Sequence, residues 1–73
     1  MYFVVVTRGL PSRNFKRVHR DLLPAQRVAQ RVVNTGTCTA VQIIACPDRT
    51  SARQADISRL LPGQEIVHEH SRW

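Results

Sequence analysis

Residues 2–8, YFVVVTR, constrain this chain more than any other segment. Their β-branched and aromatic side chains favour an extended strand. Alternation places Tyr2, Val4 and Val6 on one face and Phe3, Val5 and Thr7 on the other. Both faces are apolar, so the strand is expected to be central or covered on both sides. A chain of 73 residues has room for one core and not two. Its aromatic residues are Tyr2, Phe3, Phe15 and Trp73, so Val, Ile, Leu and Ala must fill most of that core.

The rest of the chain reads as short elements around that strand. Residues 9–14 carry Gly9, Pro11, Ser12 and Asn14, which favour a turn. Residues 15–20, FKRVHR, suit a short polar strand completing a hairpin, and a basic edge strand resists edge-to-edge pairing. Helical spacing of Ala25, Val28, Ala29, Val32 and Val33 predicts a helix over 24–34. Pro24 fits its first residue, Leu22 a staple before it and Gly36 a left-handed cap after it. Residues 39–46, TAVQIIAC, predict a buried strand that Pro47-Asp48 stops. Ser51-Ala52-Arg53-Gln54 matches a capping box, with a short helix running on to Leu61 and Ala52, Ile57, Leu60 and Leu61 partly inward. Pro62-Gly63 ends it, and 65–70, EIVHEH, alternate as a final strand.

The order β-β-α-β-α-β predicts an α+β fold. A small, mostly antiparallel sheet would carry the main helix and the short second helix on one face. Residues 1–70 are expected to form a single compact domain of radius of gyration near 11 Å, with 71–73 a C-terminal tail. Apolar runs fall short of the ~20 residues that span a bilayer, so no membrane association is expected. The N-terminal run has no basic region before it and no small-residue cleavage site, so it does not read as a secretory signal. Cys38 and Cys46 flank one apolar run; on a single strand their Cα atoms would lie roughly 26 Å apart, beyond disulfide reach. Two free thiols suit a reducing cytoplasm, although their role stays open.

Charge is lopsided. Eleven basic residues, ten of them Arg, face five acidic ones, for a net charge of +6. Residues 1–37 hold Arg8, Arg13, Lys16, Arg17, Arg20, Arg27 and Arg31 against Asp21 alone, whereas residues 38–73 are balanced. The positive field is therefore expected on one part of the fold, where it would attract nucleic acid or another anionic surface. Arg13, Lys16, Arg17, Arg20, Arg27 and Arg31 are the candidate contacts to a partner or RNA, and Phe15 in the cluster could stack on a base or anchor the hairpin. Ile66, His68 and Trp73 join Phe15 as candidate interface residues, because the terminal strand offers an edge for strand addition and Trp is common at hot spots.

Other chemistry finds little support. The cysteines are eight apart and His68 and His70 two apart, unlike paired structural zinc ligands, so no metal is expected. No paired carboxylates, thiol motif or Gly-rich phosphate loop is present, so neither enzymatic activity nor a cofactor is expected. The basic cluster lacks the signature of an RRM, KH or zinc-finger module, which predicts salt-sensitive binding with little sequence preference.

In length, charge and general organisation the chain resembles small phage-encoded regulators of host bacterial RNA polymerase, of the kind encoded by a Xanthomonas phage. The resemblance covers the whole chain and rests on no single motif, so no residue role is carried over by position. It implies a non-enzymatic protein of the bacterial host cytoplasm that binds RNA polymerase. Such a protein inhibits sigma-dependent initiation and promotes antitermination near the RNA exit channel, together with NusA and close to the emerging RNA. A monomer is expected when free, since the strong net charge opposes self-association. Two other readings share this build: another anti-host inhibitor, such as an anti-CRISPR protein, and a nonspecific nucleic-acid binder.

Overall fold

The computed structural model describes residues 1–9, 16–35, 39–57 and 59–71. Its elements are β1 (Tyr2–Arg8), β2 (Lys16–His19), α1 (Leu22–Thr35), β3 (Ala40–Cys46), α2 (Arg49–Gln54) and β4 (Glu65–Ser71). The strands form one antiparallel sheet in the order β2-β1-β3-β4. The chain is thus an α+β fold with the element order that the sequence predicts. β2 and β3 both run against β1, so α1 carries the chain over β1 from one of its neighbours to the other.

β1 is central and covered on both sides, as its doubly apolar sequence requires. On one face Val5, Val41 and Ile43 pack against Ala25 and Ala29 of α1, with Phe3, Leu22, Val28, Val32 and Val33 closing around them. On the other face Val4, Val6, Ile44 and Cys46 pack with Ala52 and Ala55, flanked by Tyr2 and Ile57. The two helices therefore lie on opposite faces, not together on one. The reason is the pleat: neighbours such as Val4 and Val5, or Ile43 and Ile44, point to opposite sides, and each side needs its own cover. The radius of gyration is 11.2 Å.

Both helices begin earlier than the sequence suggests. α1 starts at Leu22, which is its first residue and not a staple before it; Pro24 sits in the first turn, where its missing N–H costs nothing. α2 is capped by Asp48, whose carboxylate accepts the Ser51 N–H at 2.7 Å, so Ser51 lies inside the helix. α2 also ends at Gln54, well before Leu61. Gln64 accounts for the early stop. Buried at the end of the following loop, it accepts the Leu61 N–H at 3.0 Å and donates to the Ser51 carbonyl and hydroxyl, each at 2.9 Å. Those bonds hold Gln64 and Leu61 against the middle of α2, and Leu60 is 52% exposed where an inward position is expected.

Two close approaches shape the rest. Gly9 has φ +88°, and a Cβ there would stand 2.5 Å from Thr39 Oγ1 and 3.0 Å from Thr39 N. Thr39 bonds the Arg8 carbonyl through both its N–H (2.9 Å) and its hydroxyl (3.2 Å), so the end of β1 is tied to the start of β3. At the far edge the pairing shifts register between Ile43 and Ile44, leaving Val67 as the extra residue of a bulge in β4. Among the described residues no helix is long and apolar enough to cross a membrane.

Candidate functional site: a cationic cleft between β2 and α2

The sheet divides the basic cluster. Register pairs Lys16 with Val6 and Val18 with Val4, which puts both on the α2 face. Arg17 pairs with Val5 and so lies on the α1 face, where α1 also carries Arg27 and Arg31, exposed and one turn apart. Lys16 thus stands on the α2 face at the start of β2, with Arg20 just past its other end, and Arg17, Arg27 and Arg31 are placed across the sheet from Lys16. Arg13, Phe15, Cys38 and Trp73 lie outside the described residues. Ile66 pairs with Ile44 on the α2 face, and His68 with Ile43 on the α1 face; both are exposed along the β4 edge, far from the basic residues of β2.

What gathers around Lys16 and Arg20 comes from the half of the chain that is neutral overall. A cleft of about 390 Å³ opens between β2 and α2, lined by Tyr2, Val18, His19, Arg20, Arg49, Ala52 and Arg53. None of these is acidic. Arg49 and Arg53 stand one turn apart on α2. The Lys16 ammonium donates to the Arg53 carbonyl and so ties β2 to the end of α2 beside the cleft. The positive field is consequently built from both halves of the sequence, in place of the one-sided field that the count along the chain predicts.

Tyr2 lines the cleft beside these cations. Hydrogen bonds from the Arg49 and then the Arg20 guanidinium, reinforced by their charge, hold its phenol below the ordinary value of 10.0. Two guanidiniums thus act on one phenol. Val18 and Ala52 supply apolar wall beside the Tyr2 ring. His19 borders the cleft, but its pairing with Phe3 turns the imidazole toward α1, where Nε2 is buried with no hydrogen-bond partner among the described residues. The Cys46 thiol is buried in the α2-face core and directed at the Ile44 carbonyl at 3.6 Å; desolvation pushes its pKa up, against the pull of Ser51 and Lys16. Burial and protonation make it a packing residue. Among the described residues no group of three His, Cys, Asp or Glu is placed to hold a metal ion.

The sequence contains the signals for the missed residues. Tyr2 shares a face with Val4 and Val6, and Arg49 and Arg53 are four apart. A capping box at Ser51 leaves Arg49 outside the helix; the cap is Asp48, so Arg49 stands on α2 one turn before Arg53. Comparison with known proteins finds no matching family model, no matching curated protein and no matching solved structure.

Proposed function

We propose that this protein is a non-enzymatic nucleic-acid binder that acts through the positive surface around β2. The observation that carries this reading is the gathering of Arg20, Arg49 and Arg53 around a cleft that has no carboxylate among its described lining residues, with Lys16 bonded to the Arg53 carbonyl beside it. Guanidinium forks match phosphate geometry, and a net charge of +6 steers the chain toward a polyanion. The test is a titration of fluorescently labelled single-stranded RNA by anisotropy over a salt series. Affinity is expected to fall steeply and log-linearly with salt, and Arg20→Glu is expected to weaken it more than tenfold. Absent binding, or binding indifferent to both salt and Arg20→Glu, sinks the reading.

A finer reading places that activity in transcription: docking on bacterial RNA polymerase, inhibition of sigma-dependent initiation and antitermination beside the emerging RNA. The resemblance supports it, as does one feature of the sheet. β4, the edge opposite β2, exposes Ile66 and Val67 at 39% and 41%, so an apolar docking edge and an RNA-facing basic edge sit on opposite sides of one rigid sheet. Capture of RNA polymerase subunits by the tagged protein in the presence of nuclease, lost on Ile66→Asp, supports docking. Capture that nuclease abolishes leaves only the nucleic-acid reading.

A further inference from the structure

The cleft has a shape as well as a charge. Diffuse backbone binding needs only a basic surface, because phosphates line the outside of a nucleic acid. Here the cations surround a concavity of about 390 Å³, within the ~300–1,000 Å³ of small-ligand sites. That volume suits one nucleotide unit, and a double helix cannot enter it. The three guanidiniums come from two separate segments, the end of β2 and one side of α2. Arg20 and Arg49 line this cleft together with Tyr2, and both guanidiniums lower the phenol's titration midpoint. Val18, Ala52 and the Tyr2 ring add apolar lining, which suits a sugar or a stacked base.

We propose that this cleft is a nucleotide-sized phosphate site: it holds one nucleotide of a single-stranded nucleic acid, its phosphate between Arg20, Arg49 and Arg53 and its sugar or base against Tyr2 and Val18. The proposal rests on the nucleic-acid reading above and narrows it to one place and one strand state. The Tyr2 hydroxyl has a defined part in it. In this structure Arg49 and Arg20 act on it as hydrogen-bonding cations that lower its midpoint. With a phosphate present those guanidiniums turn to the stronger anion, and the phenol O–H becomes a donor to a phosphate oxygen. Occupancy therefore has a spectroscopic signature that a merely structural Tyr2 would lack. The phenol loses its two cationic partners and gains a negative neighbour, so its titration midpoint rises.

The experiment uses the full chain with Tyr2, the sole tyrosine, labelled at Cζ for NMR. The probes are a ten-nucleotide 5′-phosphorylated oligothymidylate, the corresponding duplex and inorganic phosphate. Binding of the single strand is expected to raise the Tyr2 midpoint. Arg49→Gln with Arg53→Gln is expected to weaken single-strand binding at least tenfold and to reduce the salt slope by roughly 1.4, about 0.7 for each lost contact. Both side chains are exposed, and a backbone amide spectrum verifies that the double variant is folded. Tyr2→Phe keeps the ring and is expected to cost less than the double variant, since it removes one donor. Single-strand binding with an unmoved Tyr2 and an unchanged double variant overturns the cleft and leaves the nucleic-acid reading standing. Equal binding and equal Tyr2 response with the duplex overturns the single-strand assignment. A response to inorganic phosphate with no oligonucleotide binding overturns both and assigns the cleft to free phosphate.

Discussion

Tyr2, Cys46 and Gly9 show how much single side chains carry in so small a sheet. Tyr2 is held below 10.0 by Arg49 first and Arg20 second, so Arg49→Gln should return its midpoint toward 10 further than Arg20→Gln does. The single tyrosine makes this readable by ultraviolet absorbance in alkali. The linkage sign follows from the direction. With the folded midpoint below the unfolded one, the stabilisation is present above pH 10.0 and lost as pH falls through the folded midpoint, so it adds nothing at neutral pH. Cys46 has the opposite sign. Its raised midpoint gives stability that is present below the unfolded value of 9.0 and lost as pH rises through the folded one. In a Cys38→Ser background, a thiol reagent should therefore modify Cys46 at the unfolding rate and not at the rate of an exposed thiol. Gly9→Ala should destabilise by about 1–3 kcal/mol in urea, because it joins a positive φ to a clash with Thr39. Gly63→Ala should cost less: its φ is also positive, at +83°, but a Cβ would meet the Pro47 ring at ordinary contact distances, 3.5 Å from Cγ and 4.0 Å from Cδ.

α2 is six residues long and cannot hold itself together by its own hydrogen bonds. Three outside ties maintain it: the Asp48 cap, the Gln64 bonds to Ser51 and the Lys16 bond to the Arg53 carbonyl. Asp48→Ala should cost about 0.5–2 kcal/mol through the cap alone. Gln64→Ala should cost more, about 2–3 kcal/mol, because it deprives the partly buried Ser51 carbonyl and Leu61 N–H of their partner as well as removing the bonds. Equilibrium urea unfolding of the two variants gives the order; a larger loss for Asp48→Ala would mean that the loop does not support the helix. α1 depends instead on its apolar stripe. Ala25 and Ala29, at 0% and 1% exposure, let it sit close on Val5, Val41 and Ile43. The sheet edges are protected differently: β2 by exposed Lys16 and Arg17, β4 by Glu65, Glu69 and a bulge at Val67.

Two core clusters share one sheet, so the molecule should still unfold as one. Val4 and Val5 are adjacent, yet each belongs to a different cluster. Val4→Ala and Val5→Ala should each cost about 2 kcal/mol, from lost apolar burial plus a small cavity. Each should shift one cooperative transition, with the same midpoint by far-ultraviolet dichroism and by Tyr2 fluorescence. Separate midpoints would mean that the two faces melt independently. The element order, the central place of β1 and the covered face of α1 were legible along the chain, because strand alternation and helical spacing are local periodicities that burial enforces directly. The choice of face for α2 was not, since a pleated strand with both sides apolar asks for two covers without saying which helix supplies which. The site was half legible. Lys16 and Arg20 stood out as part of a basic run, but Arg49 and Arg53 are balanced in sequence by Asp48 and Asp56 and become a cationic wall only when α2, which itself carries no acid, docks across from β2. Periodicity and composition are written residue by residue in the chain. Which charges share a cleft depends on sheet register, on which face a helix covers and on the bonds that stop that helix at Gln54, and those are set by contacts between segments far apart in sequence.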